Sequence, residues 1–592
     1  MLLPNLSEPT LSRSVTDVFG GYNRSASYSD GEFTDMENLS SDSYPMLSPR
    51  KRRGVYAAPD ETSCLIAKDN ICYTDGTDIV INGYHVDMGL SREADMLPKR
   101  AVSMGAYLII LPDKKYINTK DLTDRGDIEA SFASYGTITF SNCSIDGSEY
   151  PSCTVSRSAP ESPENGTYWV DTSSSPCVLK EFSASSGIWT VLESTYIKIA
   201  SPGIARLFSE YDGVRISGID GKNTELSVLE NSDTVLYSVH RDPESPSGDY
   251  IVIPGIISVS VSQSTSLSIK RLMPDMDMVI ESENRLWGCK YGISRDGETV
   301  NEIYASKLGD FKNWNVFMGV STDSYRVSVG TDGQFTGAVN YLGYPVFFKE
   351  SCFHKLHGSY PANYRVQTTL GRGVMRGAEN SLAAVNEVLY YKSTDGICAY
   401  DGSLPVNISA PLGPAVYREG TAGAFDNKYY ISMKDVNGDA HLFVYDTLRR
   451  MWHREDGTDA AVFCSCGGEL YFIDRVDGKI KTIGGTGEKE TGPVKWMAET
   501  GIIGRYTTDS KTVSRLSVKM SLSEGSRAAF FIKYDSMESW EKVMDVVGRS
   551  LDSFTVPIRP RRCDHFALRI EGVGEGTIHS LSRTYYEGSE VK

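Results

Sequence analysis

The sequence predicts an all-β protein, and three observations lead to that expectation. Its 592 residues include 34 tyrosines and 54 glycines, so residues suited to pleated strands alternate with residues suited to tight turns. Short apolar runs bounded by Asn, Gly, Asp or Ser recur along the chain, and helices should be few and short. A chain of this length is also too long to pack around a single hydrophobic core, so two to four structural units are expected.

An internal repeat narrows the fold class to a β-propeller. Each copy pairs a turn with an apolar run, a second turn and another strand. Five copies are anchored at Asn284, Gly343, Asn386, Asn427 and Gly468, at spacings of 59, 43, 41 and 41 residues. A period near 40 with four short strands per unit is typical of a propeller blade. Two further copies begin near Cys64 and Ser103, which gives seven candidates and leaves six to eight blades open.

In chain order the sequence predicts five regions. The segment that interrupts the repeat is rich in Ser, Thr and Gly and contains strand-like runs such as "GIWTVLESTYIKIA", which indicates an inserted β module or modules. The final segment alternates apolar and polar residues with a period of two, as in "RAAFFIKYDS", which predicts a β-sandwich. The regions are an extended arm (1–52), the first blades (53–120), the insertion (121–268), the remaining blades (269–485) and the sandwich (486–592).

Composition excludes several classes of protein. The formal net charge is −17, which argues against a general nucleic-acid binder, because such a protein needs a basic surface to neutralise phosphates. No apolar stretch approaches the ~18 residues of a transmembrane helix, and the first residues do not resemble a signal peptide. Eleven cysteines without framework spacing favour reduced thiols in a protein made in a cytoplasm.

No motif predicts a catalytic centre. Phosphate loops, nucleophile elbows and zinc-protease helices are absent from the sequence. The best metal candidates are Cys352, His354 and His357 in "SCFHKLH", but a site needs a fourth ligand, so a packed strand is favoured. Cys464 and Cys466 lack a partner pair and are interpreted as buried thiols. We therefore expect no enzyme activity, cofactor or metal, with a propeller glycosidase as the remaining enzymatic alternative.

A basic knot near the start is unusual in so acidic a chain. Arg50, Lys51, Arg52 and Arg53 follow a polar arm that has turn residues but no apparent core of its own. A nuclear address, a nucleic-acid contact and the edge of a first folded unit would each explain it. Because the cations run directly into "GVYAAP", which resembles a strand, we favour the last explanation. The arm should then be ordered by a neighbouring surface, and the four cations should pair with acidic residues on the propeller or on an adjacent subunit.

Several motifs resemble tail proteins of tailed bacteriophages. The arm "FGGYNRSASYSDGEFTDMENLSSDSYPMLSPRKRRG" is similar to the opening of these proteins, in which a glycine-aromatic arm leads to a Glu-Asn-Leu, Tyr-Pro and Arg stretch before the first blade. The segments "NRLWG", "NEIYASKLGDFKNWNVF" and "YDTLRRMWHRED" are also similar to this family, whose members are described as DNA-stabilisation, tail-hub or nozzle proteins. The resemblance extends from about Val18 to the sandwich but does not cover the insertion.

The resemblance implies a structural protein of the virion. Such proteins form a ring, with a hexamer favoured, in the tail or head-tail connector, and they contact neighbouring tail or adaptor proteins. Genomic DNA would pass through the channel without sequence-specific binding, and the negative charge suits a wall that DNA does not adhere to. Assembly would occur in the host bacterial cytoplasm. The alternative from another class is a receptor-recognition protein whose insertion binds a host-surface glycan.

Overall fold

The structure is a computed structural model that describes residues 10–92, 98–150, 153–504, 511–535, 537–559 and 561–587. Strands dominate these residues, which confirms the all-β fold class. The helices described are short 3-10 turns at Thr224–Leu229, Pro246–Gly248, Pro361–Asn363 and Ala410–Leu412. None of the described helices is long or apolar enough to cross a membrane.

The N-terminal arm folds into short strands before the propeller begins. Its strands are β1 (Thr10–Thr16), β2 (Gly21–Tyr22), β3 (Glu32–Glu37), β4 (Leu39–Ser40) and β5 (Ser48–Pro49). The next strand, β6 (Gly54–Ala57), comes directly after the basic knot, where the sequence predicted a strand.

Blades 1 and 2 are meanders of four consecutive antiparallel strands. Blade 1 contains β7 (Leu65–Ala67), β8 (Ile71–Asp75), β9 (Asp78–Ile81) and β10 (Tyr84–Asp87). Blade 2 contains β11 (Arg100–Met104), β12 (Tyr107–Leu111), β13 (Lys115–Asn118) and β14 (Asp121–Asp127). Because β14 is the fourth strand of blade 2, the boundary expected at residue 121 is corrected to the end of this strand.

The insertion follows blade 2 and builds three small sheets. Its strands are β15 (Ala130–Ala133), β16 (Ile138–Cys143), β17 (Cys153–Ser156), β18 (Tyr168–Asp171), β19 (Val178–Ser183), β20 (Ile188–Val191), β21 (Tyr196–Ala200), β22 (Gly213–Ser217), β23 (Ser232–Val235), β24 (Ser238–His240), β25 (Tyr250–Pro254), β26 (Val261–Gln263) and β27 (Ser268–Arg271). Phe140, Ile199 and Ile253 lie in a core that the insertion forms by itself. Its first strand pairs with its last, with Ala130 opposite Arg271, so both ends leave the propeller together.

Five more blades complete the propeller. Their strands are β28 (Met278–Ser282), β29 (Arg285–Ile293), β30 (Thr299–Ala305) and β31 (Tyr325–Ser328) in blade 3; β32 (Gly337–Tyr341), β33 (Tyr344–Phe348), β34 (Cys352–His357) and β35 (Arg365–Leu370) in blade 4; β36 (Ala383–Val385), β37 (Val388–Ser393), β38 (Gly396–Tyr400) and β39 (Val406–Asn407) in blade 5; β40 (Arg418–Phe425), β41 (Lys428–Lys434), β42 (Ala440–Asp446) and β43 (Met451–Arg454) in blade 6; and β44 (Ala460–Cys466), β45 (Glu469–Asp474) and β46 (Ile480–Thr482) in blade 7.

The ring of blades closes with a strand from the N-terminal side. β6 pairs with β46, with Ala57 opposite Ile480, so blade 7 takes its fourth strand from the segment before blade 1. The first strands of blades 7 and 1 then pack side by side, as do those of blades 1 and 2. The described residues therefore form seven blades, within the range that the sequence predicted.

The repeat anchors are turn residues, as expected. In blades 3 and 5 the hairpin between the first two strands has two residues with positive φ, Glu283 (51°) with Asn284 (61°) and Asn386 (49°) with Glu387 (65°). Two consecutive residues of this kind make the type I′ turn, whose twist matches that of the flanking strands. Asparagine adopts this conformation at lower cost than most side chains, which explains its recurrence at these positions.

The C-terminal module is built on one long, bent strand. Its strands are β47 (Glu488–Lys489), β48 (Lys495–Thr500), β49 (Lys511–Tyr534), β50 (Glu541–Val556), β51 (Arg561–Cys563), β52 (Phe566–Val573) and β53 (Gly576–Glu587). β47 pairs with β6 at the edge of blade 7, and the other strands form the module. β49 pairs with β53 along its first half and with β52 along its second, and one face is buried throughout. This face covers the core of the sandwich.

The arm joins the sandwich to the propeller. β3 pairs with β48, and Tyr22 of β2 pairs with Trp452 of β43, so one hydrogen-bonded sheet runs from blade 6 through the arm to β53. Phe33 and Met36 are buried in a core that also contains Tyr429 and Phe530. The arm is therefore ordered by a neighbouring surface, as expected, but its own chain supplies that surface.

We predict that the insertion can be removed only at the observed boundaries. Replacing 130–271 with a short linker should leave a soluble protein, because β15 and β27 are adjacent and the deleted segment has a separate core. The matched control replaces 121–268, which removes β14 from blade 2 and leaves β27 unpaired, and should aggregate. Solubility and circular dichroism measure both outcomes. Aggregation of the first variant would show that the insertion is needed for the fold of the propeller.

Candidate functional site

One candidate site is a cavity at one end of the propeller axis. Its volume is about 1160 Å³. The walls come from the segments that lead into the first strands of blades 1, 2, 3 and 7 and from neighbouring turns, together with Glu379 and Asn380 before blade 5. Apolar side chains such as Met276, Met278 and Val462 line part of it. A concave pocket with apolar walls and several convergent polar groups is the usual form of a ligand site.

Charged side chains of both signs line the cavity. Asp275 accepts from Lys114 at 2.7 Å, and Asp277 accepts from Lys290 at 2.8 Å. These lysines satisfy carboxylates at the start of blade 3. Asp60 and Glu379 also line the cavity, and neither has a salt bridge within the described residues. These two carboxylates are therefore the ones best placed to accept hydrogen bonds from a ligand.

The base of the insertion lies beside this cavity. Glu129, the residue before β15, pairs with Lys114 at 3.0 Å and with Arg295 at 2.9 Å. Burial opposes ionisation of Glu129, but these cations and the backbone N–H of Met273 outweigh it and lower its pKa. Lys114 also donates to the carbonyl of Met273, just after the insertion ends. The lysine thus connects the two ends of the insertion to the cavity wall.

The basic knot is divided between the interior and the solvent. Arg53 is buried and pairs with Glu455 at 2.5 Å and Asp456 at 3.4 Å. Arg50 pairs with Asp456 at 3.0 Å and with Glu490 at 2.8 Å. The acidic partners of Arg50 and Arg53 therefore belong to the same chain. Of the two locations expected for such partners, the propeller and an adjacent subunit, Glu455 and Asp456 occupy the first.

The other two cations of the knot, Lys51 and Arg52, are exposed. They have no salt bridge within the described residues and stay candidates for a subunit contact.

Between the buried groups the electrostatic coupling is strong. Burial opposes ionisation of Asp456, yet Arg53 and Arg50 lower its pKa to about 2. The sequence signal for these partners was the acidic pair in "HRED", which follows a buried strand.

The metal candidates do not converge. Cys352 and His354 are buried, and the two ring nitrogens of His354 lie 2.9 Å from the hydroxyl oxygens of Thr331 and Thr368. Burial lowers the pKa of His354 to about 4. His357 instead approaches Gln367 on the neighbouring strand. Across the described ranges, no three His, Cys, Asp or Glu side chains are grouped closely enough to hold a metal ion.

Cys464 and Cys466 lie where blade 7 meets blade 1. Both pack on a core with Leu65 and Ile71. Burial raises the pKa of the Cys464 thiol to about 12, and the nearby Cys466 adds to the rise. Both are free thiols of intermediate exposure, so they are less buried than the sequence interpretation expected.

Comparison with known proteins was made at three levels. No family model matches this sequence, and no curated protein sequence is significantly similar to it. Among solved structures, an exo-beta-1,3-galactanase of Phanerochaete chrysosporium is 8% identical over 51% of this chain and 94% of its own, with a TM-score of 0.20. Apo AztD of Citrobacter koseri is 11% identical, and the match covers 53% of this chain and 93% of AztD, also with a TM-score of 0.20. Trypanosoma rangeli sialidase is 10% identical, and the match covers 91% of this chain and 96% of the sialidase, with a TM-score of 0.17.

These similarities correct one expectation. Several of the similar solved structures are glycoside hydrolases or sialidases, including a phage phi92 endosialidase. The expectation that the chain is not an enzyme is therefore withdrawn. With TM-scores of 0.20 or less, these similarities assign neither a substrate nor a catalytic residue to this chain.

We predict that Arg53→Ala destabilises the protein far more than Arg52→Ala. The first change leaves Glu455 buried without its cation and should cost about 3–5 kcal/mol of unfolding free energy. The second removes an exposed charge and should cost no more than about 0.5 kcal/mol. Chemical denaturation followed by near-ultraviolet circular dichroism measures both. Equal midpoints for the two variants would contradict the role of Arg53 as an internal anchor.

Proposed function

We propose that the protein is a structural subunit of a bacteriophage tail or head-tail connector, assembled as a ring around the DNA channel. The observation that carries the proposal is the continuous sheet from blade 6 through the arm to β53. A sheet that crosses from one module to another makes the propeller and the sandwich one mechanically continuous body. This construction suits a subunit that must hold its shape while DNA is retained and then released under load.

The motif resemblance described above supports the same function. The arm that carries most of it is the segment buried between sandwich and propeller, with Phe33 and Met36 in the shared core. A motif with this structural role would recur in proteins that share the same junction. The net charge of −17 adds a second line of support, because a negatively charged wall repels DNA that moves past it.

Assembly should depend on the exposed half of the basic knot. In the variant Lys51→Glu with Arg52→Glu, folding should be unchanged because both side chains are in solvent. Assembly into rings or tails should weaken, and the difference from wild type should shrink at high salt, since exposed charge pairs are screened within about 10 Å at 0.1 M salt. Sedimentation velocity of the purified protein, alone and with neighbouring gene products, measures assembly.

Arg372→Glu is a matched control for this variant. Arg372 is also an exposed cation, in the segment between blades 4 and 5, although it is paired with Asp395 at 2.7 Å. This control should assemble like wild type. A wild-type protein that sediments as a monomer alone and with every neighbouring tail protein would refute the proposed function.

The axial cavity favours a second candidate function, the binding and hydrolysis of a glycan. Glycosidases use a pair of carboxylates flanking the scissile bond. Asp60 and Glu379 are two cavity carboxylates without salt bridges in the described chain, and the volume of about 1160 Å³ is large enough for a sugar ligand.

If the second candidate is correct, wild-type protein should hydrolyse at least one member of a panel of 4-nitrophenyl glycosides. Asp60→Asn and Glu379→Gln should each then reduce turnover by about 100-fold or more, since each removes a group that transfers a proton or attacks the sugar. Asp233→Asn, a carboxylate of the insertion outside the cavity, is the control and should retain activity. Absence of hydrolysis by wild type, or full activity in both cavity variants, would reject this function.

A further inference from the structure

One layer of the C-terminal sandwich has two open edges. The layer consists of the second half of β50, the first half of β49, β53 and β1, in that order, and the short strand β51 continues the β50 edge beside the first residues of β49. The outer strands of this four-strand layer are β1 and the second half of β50. Within the described residues each of them pairs with a single strand, β53 for β1 and β49 for β50. Both therefore present one row of backbone N–H and C=O groups that none of the strands described in this chain covers.

The β1 edge carries apolar side chains on its solvent face. Leu11 and Val15 are 57% and 52% exposed, and Tyr586, which lies opposite Leu11 on β53, is 40% exposed. Soluble proteins usually protect a sheet edge with lysines, prolines or very short strands, because an apolar edge recruits further strands. β1 is seven residues long and has only Arg13 as a charge. These features are typical of an edge strand that pairs with a strand of another molecule.

The β50 edge has matching features. It is 16 residues long, and Leu551 is 52% exposed in the half that belongs to the four-strand layer. Ser553 and Thr555, which follow in alternate positions, are also exposed. The edge therefore offers an exposed face with one large apolar side chain, at least as long as β1.

Strand direction allows a second copy of this chain to be the partner. β1, β53, β49 and β50 alternate in direction, because each neighbouring pair is antiparallel. An alternating layer with an even number of strands has outer strands of opposite direction. A second copy related by a simple rotation about a ring axis thus brings its β50 alongside β1 in the antiparallel sense, and the alternation continues across the boundary.

We infer that β1 of one copy pairs with β50 of the next copy, so that the four-strand layers join edge to edge around the proposed ring. The inference rests on the proposed ring and specifies the contact that builds it. Because β1 and β50 are different surfaces, the contact is heterologous and can repeat from copy to copy until the ring closes. A contact between two β1 strands would instead stop at a pair of copies.

Two blocked variants test this contact. The β1-blocked variant is Leu11→Lys with Val15→Lys, and the β50-blocked variant is Leu551→Lys with Ser553→Lys; lysine on an edge disfavours strand addition. The matched control is Val228→Lys with Val436→Lys, because both valines are exposed apolar residues outside the layer, one in the insertion and one between β41 and β42. Circular dichroism and unfolding midpoints establish that each variant is folded, as expected for substitutions of exposed side chains.

Sedimentation velocity gives the decisive result. Each blocked variant alone should be a monomer, and an equimolar mixture should form dimers and nothing larger, because each mixed pair contains one intact β1 and one intact β50. The control should assemble like wild type. Dimers formed by the β50-blocked variant alone would indicate pairing between two β1 strands and overturn the inference.

Normal assembly of both blocked variants would also overturn the inference while leaving the proposed function standing. A wild-type chain that never assembles, alone or with neighbouring tail proteins, would instead remove the ring itself. The failure of the contact and the failure of the function are therefore distinguishable.

Discussion

Two backbone pairings, Tyr22 with Trp452 and Phe33 with Thr500, place the arm inside a sheet rather than beside it. Among the described strands, β2 and β3 connect the sandwich to blade 6 within the sheet, and the sheet is interrupted if they leave. Their side chains also fill the space between the two modules, where Phe33 and Met36 are among the buried residues. Residues before the first blade are therefore part of the central core of the protein, although they come first in the chain.

The same constraint explains the basic knot. The chain must pass from the buried arm to β6, the strand that closes the propeller, and Arg50 and Arg53 lie on this path. A charge taken out of water is costly unless it is paired, and here Glu455, Asp456 and Glu490 provide the pairs. Glu490 follows blade 7, and its backbone N–H donates to the carbonyl of Arg53. These contacts connect the segment that leads into β6 with the segment that follows blade 7.

Local sequence features allowed the repeated part of the fold to be predicted. Each blade is a meander of neighbouring strands, so its turns and alternation lie within about 40 residues, and Asn284 and Asn386 mark those turns directly. The boundaries of the insertion were misplaced by one strand at each end, because only the pairing partners of β14 and β27 show that the first belongs to blade 2 and the second to the insertion. The pairing of Phe33 with Thr500 spans most of the chain and leaves no local periodicity.

The candidate sites show the same limit. The exposed or buried state of each cation in the knot depends on Glu455 and Asp456, some 400 residues away, and no spacing rule connects the two segments. The cavity is harder still to foresee, since Asp60, Asp275 and Glu379 come from different blades and meet only because the blades close into a ring. Ordinary residue types in separate segments carry no signal of a shared site.

The position of Lys114 relates the cavity to the insertion. Its ammonium group contacts Glu129 before β15, the carbonyl of Met273 after β27, and Asp275 in the cavity wall. A hinge at the base of the insertion would have to break these contacts together, since they join its first and last residues to one side chain. Lys114 therefore ties the residues that flank both ends of the insertion to the wall of the cavity. The base of the insertion and this part of the cavity wall share one network of charged side chains, to which Arg295 also belongs through Glu129.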